Sequence, residues 1–115
     1  MSSTRHSRGI ALPDKQLLEE LKIIVLRSVP DAELFVYGSS ARGERGPESD
    51  YDVLILLKTS LSSEEQDAIG CAIYDLELSR GVVISEVFLS REEWTHGRIA
   101  ASPFRQNVEK EAIRI

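Results

Sequence analysis

The chain has 115 residues, 42% of them apolar and 29% charged, with a formal net charge of −5. That length suits one domain with one core, and the composition excludes a disordered or fibrous chain. The acidic balance argues against non-specific binding to nucleic acid, which needs a basic footprint. The single cysteine, Cys71, rules out an internal disulfide. No apolar run approaches membrane-spanning length and no signal peptide is visible, so a cytoplasmic setting is expected.

Residues 1–11 are polar, basic and aperiodic, and read as a flexible tail ahead of a single domain over residues 12–115. Pro13 and Asp14 open a helix in which Leu17, Leu18, Leu21, Ile24 and Val25 recur at helical spacing; Pro30 lies just past its end. Glu33 to Tyr37 reads as a strand running into Gly38-Ser39-Ser40-Ala41-Arg42-Gly43, expected as a short helix or turn. A polar loop with Gly46-Pro47 as its turn signal leads to a second strand, Asp52 to Leu57. Its unbroken apolar run suits burial on both faces.

Ser62 or Ser63, with Glu65 or Gln66, caps the next helix, whose apolar stripe is Ile69, Ala72, Ile73 and Leu76 and whose stop is Gly81. Cys71 reads as buried filler on that helix, because free cysteine is usually buried. Val82 to Leu89 is a third strand, Ser90 and Glu93 form another capping box, and Ser102-Pro103 starts a last short helix. The predicted fold class is therefore α/β (α+β): a small mixed β-sheet with helices packed on it.

Two features carry chemistry. Gly38-Ser39 directly follows a strand, where backbone N–H groups and a helix N-terminus attract phosphate; Arg42 adds a guanidinium fork one turn on. A Gly-Ser turn is equally a plain chain reversal. Asp50-Tyr51-Asp52 opens the next strand, and residues i and i+2 of a strand share a face. Two like charges side by side repel, and a shared Mg²⁺ relieves that repulsion. A solvated strand start is the bland alternative. Together, on neighbouring strands about 5 Å apart, cradle and acid pair would face one cleft.

These residues resemble a known family. Gly38-Ser39-x-Ala41-Arg42-Gly43, five residues, then Ser49-Asp50-x-Asp52 is similar to the signature of the minimal nucleotidyltransferases of the DNA polymerase β superfamily. The resemblance implies the nucleotidyltransferase fold, with Gly38 and Ser39 holding phosphates of ATP or another NTP. It implies Asp50 and Asp52 as catalytic ligands of two Mg²⁺ ions, and Arg42 on phosphate or bracing the turn.

The family usually adds a third carboxylate on a later strand, and this sequence offers Glu86 as that catalytic metal ligand. Glu86 is a lone acid in an apolar run, which calls for a partner or a metal unless it lies at a strand end in water. The resemblance further implies transfer of AMP to a hydroxyl, with a small helical HEPN toxin as protein partner and its tyrosine as acceptor. The alternative is a binding subunit with weak or no catalysis. A homo-oligomer is compatible with either reading, whereas a nucleic-acid polymerase domain fits the acidic body badly.

The remaining conspicuous residues read as structure. Trp94 and Tyr37 read as packing groups. His6 and His96 read as surface groups, Tyr51 as a residue facing away from the two aspartates, and Glu64-Glu65 and Glu92-Glu93 as helix N-terminal charges.

Overall fold

Four strands among the described residues form one sheet: β1 (Glu33–Tyr37), β2 (Tyr51–Leu57), β3 (Ile84–Ser90) and β4 (Ile113–Arg114), in the order β3-β2-β1-β4. The computed structural model describes residues 12–38 and 50–115, with the backbone alone for residues 12–14. The expected tail over residues 1–11, the helix or turn after β1, and Ser39, Arg42, Gly46 and Pro47 lie outside the described residues. β1 pairs antiparallel with both β2 and β4, while β2 and β3 run parallel. The sheet is thus mixed, as the element order predicts.

Helices cover both faces because both faces are apolar. Helix α1 (Leu12–Ser28) and helix α2 (Ser63–Arg80) lie together on one face. Leu17, Leu18, Leu21 and Val25 of α1 and Ile69, Ile73 and Leu76 of α2 form a core with Tyr51, Val53, Ile55 and Leu57 of β2. The other face carries a smaller core: Leu54 with Val108 and Ala112, flanked by Phe35, Tyr37, Val87, Leu89, Trp94 and Phe104. It belongs to the short helices α3 (Arg91–His96) and α4 (Pro103–Glu111). Consecutive residues of β2 therefore feed alternate cores, and five of them in a row, Val53 to Leu57, are buried.

Local signals set the helix limits. Ser62 is the N-cap of α2 and exchanges hydrogen bonds with Glu65, which holds the exposed Glu65 carboxyl below its ordinary pKa. Gly81 ends α2 in a left-handed conformation. Ser90 and Glu93 repeat the capping box on α3, and Ser102 caps α4 with proline in its first turn. An Arg80–Glu20 ion pair joins α2 to α1. Glu33 accepts from Arg91 at 2.7 Å and Arg114 at 2.9 Å, tying the start of α3 and the strand β4 to β1.

Cys71 departs from expectation: it is exposed, not buried filler. It lies two residues from both Ile69 and Ile73, and two helical steps of ~100° each turn it away from the stripe they define. Strand β4 is an addition that the sequence pattern did not reveal. Leu21 is fully buried between α1 and the sheet. Leu21→Ala is expected to lower unfolding free energy by about 2–5 kcal/mol; urea denaturation should show a lower midpoint with an unchanged slope.

Candidate active site

The start of β2 and the end of β1 meet at one edge of the sheet. Tyr37, the last residue of β1, is the register partner of Asp52, and Asp52 is in turn the partner of Ser85 on β3. Paired residues on adjacent strands share a face, so Tyr37, Asp52 and Ser85 form a row. Asp50 lies two residues before Asp52 and joins that face. Its exposed carboxylate accepts a long hydrogen bond of 3.4 Å from the Ser85 hydroxyl.

Gly38 closes the row. Its φ is +73°, a left-handed conformation that costs other residues about 1–2 kcal/mol. A methyl group placed there would lie 2.7 Å from Asp52 Oδ2. The carboxylate therefore sits close to the glycine, and the positive φ is what favours glycine at this position. Structure thus brings Gly38, Asp50 and Asp52 together; Ser39 and Arg42 lie outside the described residues.

Two carboxylates stand close together at this edge, those of Asp50 and Asp52. Burial, and then the Asp50 charge, raise the Asp52 pKa above its ordinary value. Burial and the Asp52 charge likewise raise the Tyr37 pKa. Two carboxylates and a hydroxyl are hard oxygen donors, and their mutual repulsion is what a divalent cation removes, so the donor set fits Mg²⁺. The Tyr37 ring itself packs edge-on against Phe104 at 5.6 Å, as its reading as a packing group anticipates.

Glu86 does not join the aspartates. Its register partner is Val53, so it faces the α1/α2 side of the sheet with Ile84 and Phe88, opposite to Asp52. There it lines an open groove with Gln66, Asp67, Gly70 and Cys71. Burial raises its pKa, and the Glu77 charge adds to that. Among the described residues, no group of three or more His, Cys, Asp or Glu side chains converges to hold a metal ion. The parallel register places Glu86 on the face opposite the aspartates and Ser85 on theirs. Ser85 escaped the sequence reading because a serine in a strand carries no charge signal.

The other conspicuous residues behave structurally. Trp94 packs in the smaller core with the Arg105 guanidinium 5.3 Å from its ring centre. His96 is exposed, and Tyr51 is buried on the face away from the aspartates. No helix among the described residues is long and apolar enough to cross a membrane.

Comparison with known proteins agrees with this geometry. The sequence model of the nucleotidyltransferase domain matches residues 15–115, and the chain belongs to that family. A mutant of the MntA–HpeT toxin–antitoxin is similar at a TM-score of 0.59 and 14% identity, covering 84% of this chain and 69% of that one. A toxin–antitoxin structure with AMP-PNP gives 0.56 and 17%, covering 84% and 70%. A protein from Sulfolobus solfataricus, provisionally assigned as a nucleotidyltransferase, gives 0.50 and 20%, covering 86% and 76%. At such identities the likeness concerns the fold. The comparison with curated proteins gives no match.

Two predictions test the site. Gly38→Ala should weaken divalent-cation binding about 10–100-fold, because it displaces the Asp52 carboxylate; calorimetry with Mn²⁺ measures this. The second concerns pH. A raised folded-state pKa means that the folded chain holds the Asp52 proton more tightly than the unfolded chain does. The associated stability is present at low pH and lost as pH rises through the folded pKa. Asp52→Asn should therefore raise Tm at pH 7 in the presence of a chelator, and the gain should shrink as pH falls into the carboxylate range. A Tm gain that is flat with pH would contradict the assignment.

Proposed function

We propose that the chain is a Mg²⁺-dependent nucleotidyltransferase that moves AMP from ATP to a hydroxyl on a partner protein, and that it acts as an antitoxin. The observation that carries the reading is the Asp52 carboxylate pressed against left-handed Gly38, beside Asp50, in a member of the nucleotidyltransferase family. Gly38 and Ser39 would cradle the distal phosphates, Arg42 would contact phosphate or brace the turn, and Asp50 and Asp52 would hold the cation. When bound, Mg²⁺ supplies charge neutralisation for the pyrophosphate leaving group and orientation of the triphosphate. The Asp50 and Asp52 carboxylates would position that charge at one sheet edge, beside the Gly38 turn.

Structural likeness supports a protein acceptor. Two similar structures are described as toxin–antitoxin proteins, one with the ATP analogue AMP-PNP. A small helical HEPN toxin with an acceptor tyrosine fits that setting.

One observation favours a second reading. The third residue of the row is neutral Ser85, and Glu86 faces away, so the site has two carboxylates among the described residues. A chain with that site serves as a binding subunit if transfer is too slow to matter. The two readings differ in mass. Incubated with Mg²⁺, ATP and its co-purified partner, the wild type should add one or more AMP units to the partner. Asp50→Asn combined with Asp52→Asn should abolish that gain, and Glu86→Gln should change the transfer rate by less than about twofold. Tight partner binding with no mass gain across all four nucleotides would favour the binding subunit.

A further inference from the structure

We propose that the open edge of β3, with the acidic groove beside it, docks an extended segment of a partner protein in which basic and apolar residues alternate. The surface is separate from the aspartate edge, and the proposal stands whether or not the chain transfers nucleotide.

Among the described residues β3 is an outer strand of the sheet, and its five central residues are only half-buried. The Tyr51 N–H donates to the Val83 carbonyl at 2.9 Å, so Val83 turns its backbone toward β2. Backbone groups alternate sides along a strand, and Ile84, Glu86 and Phe88 therefore turn theirs outward. The Ile84 N–H does point that way, donating to the Glu77 carboxylate at 2.7 Å. Beyond this cap, Glu86 and Phe88 present backbone groups to an incoming strand, as a sheet edge does.

The side chains set what that strand must carry. Asp67, Tyr74 and Asp75 of α2, with Glu86 and Phe88 of β3, line a groove of about 630 Å³. A second groove shares Tyr74 and continues along Glu77, Leu78 and Val83. Among the described residues, both grooves carry acids and neither is lined by a lysine or arginine. Tyr74, Leu78 and Val83 are also large apolar residues left exposed. Arginine is complementary to both features. Its guanidinium pairs with carboxylates and stacks on a tyrosine ring, and its stem covers apolar surface. On the other face of β3, Val87 and Leu89 pack at the smaller core, so the alternate residues of the incoming strand meet apolar neighbours. A second copy of this chain fits badly, because symmetric edge pairing would bring the acids of both grooves together.

The probe is a labelled peptide alternating arginine and valine over the length of β3, titrated with the full chain by fluorescence anisotropy. Wild type should bind it about 10-fold more tightly than a peptide of the same composition with its arginines in one block, because only alternation matches the cross-strand neighbours. Asp67→Asn combined with Asp75→Asn should weaken binding about 2–20-fold, the effect of two exposed ion pairs. Hydrogen exchange at the Glu86 and Phe88 amides should slow in the complex. No binding, equal affinity for the two peptides, unchanged affinity in the double variant, or no added protection at those amides would overturn the proposal. Other occupants show in the same experiment, and either overturns it. Tighter peptide binding by Arg5→Ala combined with Arg8→Ala would assign the groove to the chain's own basic N-terminal residues. A dimer of the free chain in sedimentation that the peptide splits would assign the edge to a second copy.

Discussion

A carboxylate held against a bare glycine Cα is the contact on which this chain depends. A Cβ at position 38 would come within 2.7 Å of Asp52 Oδ2, and the left-handed turn there favours glycine independently. The contact couples two strands at the point where one ends and the next begins. It also fixes where negative charge accumulates. Folding has to tolerate Asp52 with its pKa raised by burial and by Asp50, which is an unfavourable place for a charge. Strain of this kind at a site has to be offset elsewhere in the structure.

The offset lies in the next five residues of the same strand. Val53 to Leu57 are buried on both faces of β2, one set against α1 and α2 and the other against α4. Each fully buried aliphatic side chain contributes about 1.5–3 kcal/mol relative to exposure. A strand anchored in this way cannot slip, because a shift of one residue would send every side chain to the wrong face. The two aspartates at its start are therefore held in place by the apolar packing of the strand that follows. The same rigidity fixes β3 beside it, and so decides which residue of β3 faces the acids.

Much of the architecture is legible in the sequence because its signals are local. Ser62 with Glu65, Ser90 with Glu93, and Ser102 with Pro103 each mark a helix start within four residues. The i, i+2 spacing of Asp50 and Asp52 states their common face directly. Cys71 was also within reach of periodicity, since it sits off the Ile69–Ile73–Leu76 stripe; the general preference of cysteine for burial misled where the helical phase did not. Strand β4 has two residues and no period to read. Its place in the sheet comes from α4 returning the chain to β1.

Glu86 illustrates what sequence alone withholds. Within Ile84 to Ser90 the alternation of faces is plain, and Glu86 must share a face with Ile84 and Phe88. Which of the two faces meets the aspartates depends on the parallel register with β2. That register is set by the α2 crossover and its packing against α1, a matter of geometry over more than twenty residues. A carboxylate draws attention by its charge, whereas the serine beside it, one residue away and on the correct face, carries none. Parallel pairing thus sets a hydroxyl, and not the neighbouring carboxylate, beside Asp50 and Asp52 on that face of the sheet.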